Sequence, residues 1–271
     1  MIRLLSDTDR IATVNLLQRE PEMNMFALGQ IERRGIDLDT YLGCIRERML
    51  TGVLASYGGL RWTAYALLDT DGAELAMAAE QRGMKTRLLS GKGPVVDSVL
   101  AALSDDYLAV EDDERNIVYR LAKLRPVVPA AVPVRPSEER DRNALVELKL
   151  AYMQERFGGG ATLEQAKREI DAVDPPVIRY VAEENGTLLS TAEAVLSTKT
   201  AAIVRGMYTV PDRRGEGLGT VCLAAVCADV FEQREAVVAI ARGNDKRGRR
   251  ACEKLGFAQV GGQRNIRFAP Q

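Results

Sequence analysis

The sequence predicts an α+β protein built from two similar domains in tandem, each a mixed, mostly antiparallel sheet flanked by helices. The chain has 271 residues, more than one hydrophobic core usually organises. A proline-rich segment lies near its middle, and the segments on its two sides begin alike. The second half then shows a run of strands followed by alternating helices and strands.

The domain boundary is predicted near residue 126. The segment Leu124 to Pro136 holds four prolines among small apolar residues, which favours an extended connection over a helix. We therefore expect residues 1–125 and residues 126–271 to form the two domains.

An internal repeat supports this division. An ungapped shift of 132 positions places Arg3 on Arg135 and Asp9 on Asp141, among other matches. A second similarity pairs residues 78–84 with residues 251–257, although a helix that ends at a glycine explains this pattern locally. Together the two similarities suggest a duplicated domain.

The second half has the clearest pattern of elements. Three β-branched segments are separated by turn-forming residues such as Asn185-Gly186, so they should pair as antiparallel neighbours. Thr162 is followed three residues later by Gln165, as in a capping box at a helix start. The predicted order is strand 131–135, helix 138–157, a short helix after Thr162, strands 177–183, 188–196 and 201–210, helix 218–233, strand 236–241, helix 248–254 and a strand pair within 258–268.

Composition excludes several kinds of function. A net charge of -1 gives no reason to expect nucleic acid or an anionic membrane as partner. The first residues lack the apolar stretch of a secretory signal, so a cytoplasmic location is expected. Oligomeric state is left open between monomer and homodimer.

The absence of histidine is the most informative count. It excludes Ser-His-Asp and Cys-His nucleophile systems and any imidazole metal site, and no metal is predicted. The four cysteines, which show no C-x-x-C spacing, are expected to be reduced and mostly buried. They are Cys44, Cys222, Cys227 and Cys252.

A glycine-rich segment in the second half predicts a phosphate site. Residues 205–220 read as a strand, a proline stop, a glycine-rich turn and a helix start. Gly215, Gly217 and Gly219 allow a ligand to approach the main chain, and the free N–H groups of the helix's first turn would bind a pyrophosphate. Arg213 and Arg214 add positive charge beside them.

In this setting the sequence resembles the GNAT superfamily of N-acetyltransferases. The family fingerprint R/Q-x-x-G-x-G/A is matched by Arg214 to Gly219, and the preceding strand and proline are matched by Met207 to Pro211. The resemblance covers about the last half of the chain. It implies an N-acetyltransferase that moves the acetyl group of acetyl-CoA to a small-molecule or peptidyl amine by direct attack, with residues 1–125 as a degenerate GNAT-like copy.

The resemblance also implies which residues hold acetyl-CoA. Backbone groups of Tyr208, Thr209 and Val210 would hold the pantetheine arm, and an N–H near Tyr208 or Val210 would polarise the thioester carbonyl. The strand that carries Tyr208 would diverge from the next strand. The implied cofactor-binding residues are Tyr208, Thr209, Val210, Arg213, Arg214, Gly215, Glu216, Gly217, Leu218, Gly219, Thr220 and Asn244.

The catalytic residues are less defined. Cys252 stands where the family often has the tyrosine that protonates the departing thiolate, so it is either a weak acid or a half-buried helix cysteine. Otherwise the proton would come from Tyr208 or water. Glu193, in an otherwise uncharged strand, is either the general base or the cross-strand ion-pair partner of Arg205.

The first half lacks the fingerprint. Its nearest feature, Leu88 to Pro94, reads as a strand, a G-x-G turn and a helix start that could hold a phosphate. We expect this half to form one wall of the acceptor cleft, with Met23, Phe26 and Leu28 as core or interface contacts. Two alternatives to a transferase remain, a non-catalytic acyl-CoA-binding sensor and an interaction module with a degenerate loop.

Overall fold

The computed structural model describes residues 1–104, 109–157, 160–172 and 175–269. By their internal contacts they divide into two compact units. The first comprises Met1–Val118, Arg242–Asn244 and the segment from Val260 on, and the second comprises Tyr119–Ala241 and Asp245–Gln259. The boundary near residue 126 stays a prediction, and the compact units follow a different division because a late segment of the chain packs with the first unit.

The first unit contains five successive strands and, in addition, most of a strand from the end of the chain. The strands are β1 (Ile2–Leu4), β2 (Thr40–Arg46), β3 (Met49–Tyr57), β4 (Arg61–Ala66) and β5 (Leu88–Lys92), and the helices are α1 (Arg10–Leu17), α2 (Met25–Arg34), α3 (Asp69–Glu80) and α4 (Gly93–Ala102). Neighbouring strands pair antiparallel up to β4, and β4 pairs parallel with β5. Strand β6 (Val110–Leu121) follows, and its residues up to Val118 belong to the first unit and the remainder to the second.

The second unit repeats this order. Its strands are β7 (Val134–Pro136), β8 (Val177–Glu184), β9 (Thr187–Val195), β10 (Ala201–Thr209) and β11 (Ala236–Arg242), and its helices are α5 (Arg142–Phe157), α6 (Leu163–Asp171), α7 (Leu218–Phe231) and α8 (Lys246–Leu255). The pairing is again antiparallel up to β10 and parallel between β10 and β11. The last strand is β12 (Ala258–Phe268).

Side-chain contacts confirm the predicted repeat. The Arg3 guanidinium forms a bidentate pair with Asp9, at 2.8 and 2.6 Å, and Arg135 forms the same pair with Asp141, at 2.7 and 2.8 Å. In both units the paired aspartate closes a 3-10 turn that leads into the first helix. The 132-residue shift therefore joins equivalent positions.

The second similarity, between residues 78–84 and 251–257, does not join equivalent helices. Residues 78–80 end α3, which connects the two parallel strands of the first unit, whereas residues 251–255 end α8, which follows the second parallel strand. Gly83 and Gly256 both adopt positive φ after a helix, at 68° and 95°. The shared pattern is therefore a helix C-terminus, as its local explanation stated.

Most predicted elements of the second half are confirmed, including the antiparallel strands and the Thr162 capping box, in which Gln165 N–H donates to Thr162 Oγ1 at 3.2 Å. The predicted strand pair at 258–268 is wrong, because these residues form one continuous strand that pairs with β5 through Gln263–Arg267. Among the described residues, no helix has the length and apolar character needed to cross a bilayer.

The two units differ at one place, between their fourth strand and third helix. In the first unit only Leu67 and Leu68 separate β4 from α3, whereas residues 210–217 separate β10 from α7. The register of β3 with β4 is unbroken, whereas that of β9 with β10 shifts between Arg205 and Tyr208. The second unit thus has a loop and a bulge that the first unit lacks.

Candidate functional site

The glycine-rich loop joins β10 to α7. A 3-10 turn at Pro211–Arg213 follows β10. Gly215 and Gly217 have φ of 94° and 83°, which residues other than glycine rarely adopt. Gly217 precedes the first residue of α7, Leu218, and its carbonyl accepts the Val221 N–H at 3.1 Å. The N–H groups of the first three helical residues, Leu218, Gly219 and Thr220, have no acceptor within the helix, so they are available to a ligand.

The space around this loop fits a pyrophosphate. A Cβ added at Gly215 or Gly217 would meet no described atom within 4 Å, so the main chain is open on that side. At Gly219 a Cβ would lie 3.1 Å from Thr209 Oγ1, so glycine there lets α7 begin close against β10. The main-chain donors and the positive end of the helix dipole together form an anion site.

β10 contains a bulge just beyond the point where its pairing with β11 ends. The parallel register runs from Ala201 with Ala236 to Val204 with Ala239, and the described pairing of these two strands ends there. The bulge follows at Gly206, whose φ is 64° and whose added Cβ would lie 3.1 Å from Glu193 Oε1. The positive φ and the close contact favour glycine at that position, and beyond it no pairing of β10 with β11 is described.

The pairing of β10 with β9 beyond the bulge indicates the direction of the Thr209 N–H group. Val210 N–H donates to Leu189 O at 2.9 Å, and Tyr208 pairs with Thr191 on the same edge. Because successive residues of a strand direct their N–H groups to opposite edges, Thr209 N–H points away from β9. The geometry therefore favours Thr209 over Tyr208 and Val210 as the oxyanion donor.

Both arginines of the loop are paired with carboxylates. Arg213 contacts Glu184 at 2.6 Å and Glu216 at 2.7 Å. Arg214 forms a bidentate pair with Glu155, at 2.8 and 2.6 Å, and its Nε donates to Thr209 O at 2.9 Å. The positive charge predicted beside the loop is thus largely offset, and the main-chain donors contribute most of the attraction for an anion.

Glu193 lies in a buried ion cluster. Its carboxylate accepts hydrogen bonds from Lys149 at 2.9 Å, from Arg179 at 2.9 and 2.7 Å, and from Arg205 at 3.0 Å. The side chain is 2% exposed. We call Lys149, Arg179, Glu193 and Arg205 the Glu193 cluster.

The cluster favours one of the two interpretations of Glu193. Burial acts to raise the pKa of this carboxyl, but the attraction of Lys149, Arg179 and Arg205 outweighs burial and holds the pKa at about 2. A carboxylate with that pKa accepts a proton poorly at neutral pH. Arg205 lies directly opposite Glu193 in the register, so the geometry supports the ion pair rather than the general base.

Cys252 lies in α8 and is 5% exposed. Burial raises the pKa of its thiol to about 12, so it would protonate a thiolate only with difficulty. All four cysteines are free and buried, as predicted.

Tyr208 lies at a small cavity. Tyr208 lines the cavity together with Lys149, Tyr152, Arg179, Glu193 and Gly206, and burial raises the pKa of its hydroxyl. The Tyr208 and Tyr152 rings meet edge to face with centroids 6.2 Å apart. Asn244 is exposed in the turn that follows β11, and the next residue, Asp245, caps α8 through Gly248 N–H at 2.9 Å.

Sequence reasoning missed Gly206, Lys149 and Arg179. A glycine inside a β-branched strand is a recognised sign of a bulge, and it could have identified Gly206. Lys149 interrupts the apolar face of α5 formed by Leu145 and Leu148, which is an unusual place for a lysine. Arg179 gave no comparable signal.

The first-half candidate at Leu88 to Pro94 has a different structure from the predicted G-x-G turn. Gly91 is inside β5, where an added Cβ would lie 2.4 Å from Ala64 O, and Gly93 is the first residue of α4. The glycine at 91 is thus required by close strand packing. The equivalent of the glycine-rich loop in this unit is the short connection at Leu67 and Leu68.

Comparison with known families gives a match that contains the loop, the bulged strand and α8. Residues 143–257 match the acetyltransferase (GNAT) family model. These residues form a GNAT domain. Comparison of the sequence with curated proteins gives no significant match.

Solved structures extend the similarity of fold beyond the GNAT domain. A Drosophila protein matches with a TM-score of 0.70 at 13% identity, covering 99% of this chain and 98% of its own. An acetyltransferase of the GNAT family from Colwellia psychrerythraea matches with a TM-score of 0.58 at 13% identity, covering 99% of this chain and 100% of its own. A tandem GNAT protein from the clavulanic acid biosynthesis pathway also matches with a TM-score of 0.58 at 13% identity, covering 100% of this chain and 99% of its own. The whole chain therefore has a tandem GNAT fold.

Proposed function

We propose that the GNAT domain transfers an acetyl group from acetyl-CoA to the primary amine of an acceptor. The observation that carries the proposal is the combination of two features in one unit: an open main-chain anion site at Gly215 and Gly217, and a glycine bulge in β10 just beyond the point where its pairing with β11 ends. The first unit has the same topology without either feature.

In this proposal acetyl-CoA supplies an activated acyl thioester, and the protein supplies position and charge stabilisation. The first turn of α7 binds the pyrophosphate, and the segment of β10 beyond the bulge hydrogen-bonds the pantetheine arm. Thr209 N–H, directed away from β9, donates to the carbonyl oxygen as negative charge develops there.

The reaction needs no covalent enzyme intermediate. The neutral amine nitrogen forms the new C–N bond while the C–S bond breaks, and the surplus proton of the amine passes to water. The departing thiolate takes up a proton from Tyr208 or from water, and Tyr208 then recovers its proton from solvent. Since Glu193 stays ionised and hydrogen-bonded, we assign it no proton transfer.

A non-catalytic acyl-CoA sensor is the second candidate. It is favoured by two observations, the locked Glu193 and the buried Cys252, because these leave the site without a strong acid or base. The two functions share the same CoA site, and turnover separates them.

The test is calorimetric titration with acetyl-CoA of the unmodified protein and of two variants at Thr220, in the first turn of α7. Thr220→Glu places a carboxylate in the proposed pyrophosphate site, where it should abolish binding, yet a carboxylate at a helix N-terminus favours folding. Thr220→Gln has a similar shape without the charge and should retain most of the affinity. A substitution of Gly217 would be less informative, because its φ of 83° makes any side chain strained.

Thiol release with a panel of amines completes the test. Binding with turnover supports the transferase, and binding without turnover supports the sensor. If the unmodified protein did not bind acetyl-CoA, both would be overturned and the interaction module would remain.

A further inference from the structure

The Glu193 cluster contains more positive than negative charge. Three cations surround one carboxylate, and the other acidic group near them, Glu169, lies 3.9 Å from Arg205. The Lys149 side chain is 9% exposed and that of Arg179 is 12% exposed. Buried cations without a balancing anion are costly, so the surplus indicates that an anion is missing from this set.

The cations also have donors to spare. Among the described contacts, Lys149 Nζ makes one hydrogen bond, to Glu193, although an ammonium group has three N–H donors. Arg179 uses its Nε and one of its two terminal nitrogens on the same carboxylate. A second carboxylate could therefore bind to the cluster without displacing Glu193.

The fold itself does not require these charges. By the 132-residue shift and the strand registers, Leu17, Tyr41 and Ala55 occupy in the first unit the positions of Lys149, Arg179 and Glu193. All three are buried in one apolar cluster of that unit. The same architecture thus packs well with apolar side chains there, and the charges of the second unit call for a functional explanation.

The cluster lies next to the proposed reaction site. Lys149, Arg179 and Glu193 line the same cavity as Gly206 of the bulge and Tyr208 of the strand segment beyond it. A small anion held in this cavity would lie beside the part of β10 that is proposed to hold the thioester.

We propose that the Glu193 cluster binds a carboxylate of the acceptor, so that the acceptor is a small primary amine that also carries a carboxylate, such as an amino acid. The planar guanidinium of Arg179 and the ammonium of Lys149 suit a planar, singly charged group, and the cavity is small. This inference rests on the proposed function, since it names the substrate class of that transfer.

The test compares each amino acid with its carboxamide as acceptor. The amide keeps the amine and removes the negative charge. Steady-state thiol release would be measured for a panel of α-amino acids, β-alanine and γ-aminobutyrate, each beside its amide. For the preferred acceptor we expect the acid to exceed its amide in kcat/KM by about tenfold or more, as a charge-assisted contact provides.

The Lys149→Met variant tests the residue itself. It should lower the ratio of acid to amide about tenfold, mainly through the KM of the acid. The intrinsic reactivity of the two amines is the same for every variant, so this ratio isolates the contact. Folding should persist because Leu17 fills the equivalent position, and Lys149→Arg should keep the preference for the acid.

Lys167→Met is the matched control. It removes the same charge from the exposed face of α6, where Lys167 pairs with Glu164, and should leave the ratio unchanged. Acetyl-CoA binding, measured in parallel, separates the two proposals. If acetyl-CoA binds but the amides serve as well as the acids, or none of these acids is acetylated, the carboxylate site is overturned. If acetyl-CoA does not bind, the proposed function fails first.

Discussion

Cys252 illustrates how burial changes the chemistry of a residue that lies at a catalytic position by sequence. The side chain is 5% exposed, and burial raises the pKa of its thiol to about 12. Transfer of its proton to a thiolate of ordinary pKa near 9 would be uphill by about three pKa units, or roughly 4 kcal/mol. Its position in α8 is therefore better explained by packing.

We expect Cys252→Ala to leave kcat nearly unchanged and to lower the free energy of unfolding by about 1 kcal/mol, because a small buried side chain is removed. The measurements are thiol release under saturating substrate and urea unfolding. Tyr208→Phe is the comparison variant, since it removes the other candidate side-chain donor, and it should reduce kcat only if Tyr208 rather than water protonates the thiolate. A hundredfold loss in Cys252→Ala without a change in KM would restore Cys252 as the acid.

The sequence could predict the residues whose role depends on the backbone. Gly215 and Gly217 form the predicted turn because their requirement for positive φ is local. The sequence left the role of Glu193 undecided, because the pKa of this carboxyl depends on Lys149 and Arg179, which lie in α5 and β8. Such non-local charge neighbours leave little trace in the order of residues.

The turns between equivalent strands show how differently the two units specify one element. Asn185 and Gly186 connect β8 to β9 with φ of 50° and 80°, and Glu47 and Arg48 connect β2 to β3 with φ of 48° and 66°. The first pair is typical of a two-residue hairpin turn, whereas side chains such as Glu and Arg are strained in this region. The packing of the surrounding sheet must therefore maintain the turn in the first unit.

Exchange of the turn residues should relieve this strain. The double substitution Glu47→Asn and Arg48→Gly is expected to stabilise the protein by about 1 kcal/mol, measured by thermal or urea unfolding. The reciprocal change Gly186→Arg should destabilise it by a similar amount. The explanation would be contradicted if the double variant were less stable than the unmodified protein.

At the scale of the whole molecule, a late segment completes the first unit. β12 pairs with β5 through Gln263–Arg267, and its Ile266 and Phe268 are buried in the same apolar cluster as Trp62. The sequence could indicate the repeat and most strands, since these are local patterns. It could not indicate this partner of β5, because the paired residues, such as Gln263 and Lys92, are 171 or more positions apart and their apolar alternation is compatible with other partners.

Removal of residues 260–271 should therefore unfold the first unit. Trp62 is the single tryptophan of the chain and is 0% exposed, so its fluorescence reports on this unit. We expect a red shift of its emission in the truncated protein. The milder variant Phe268→Ala should keep the native emission but lose about 3 to 5 kcal/mol of stability. Native emission and unchanged protease resistance after truncation would refute this role of β12.

The pairing of β12 with β5 also sets an order of events during synthesis. Residues 88–92 leave the ribosome well before residues 263–267, with the sequence of the whole second unit between them. At ordinary elongation rates of about 5 to 20 residues per second, the edge of β5 stays without its native partner for roughly 10 to 35 seconds. During that interval it is exposed to pairing with other nascent chains, which makes this strand the point at which misassembly would begin.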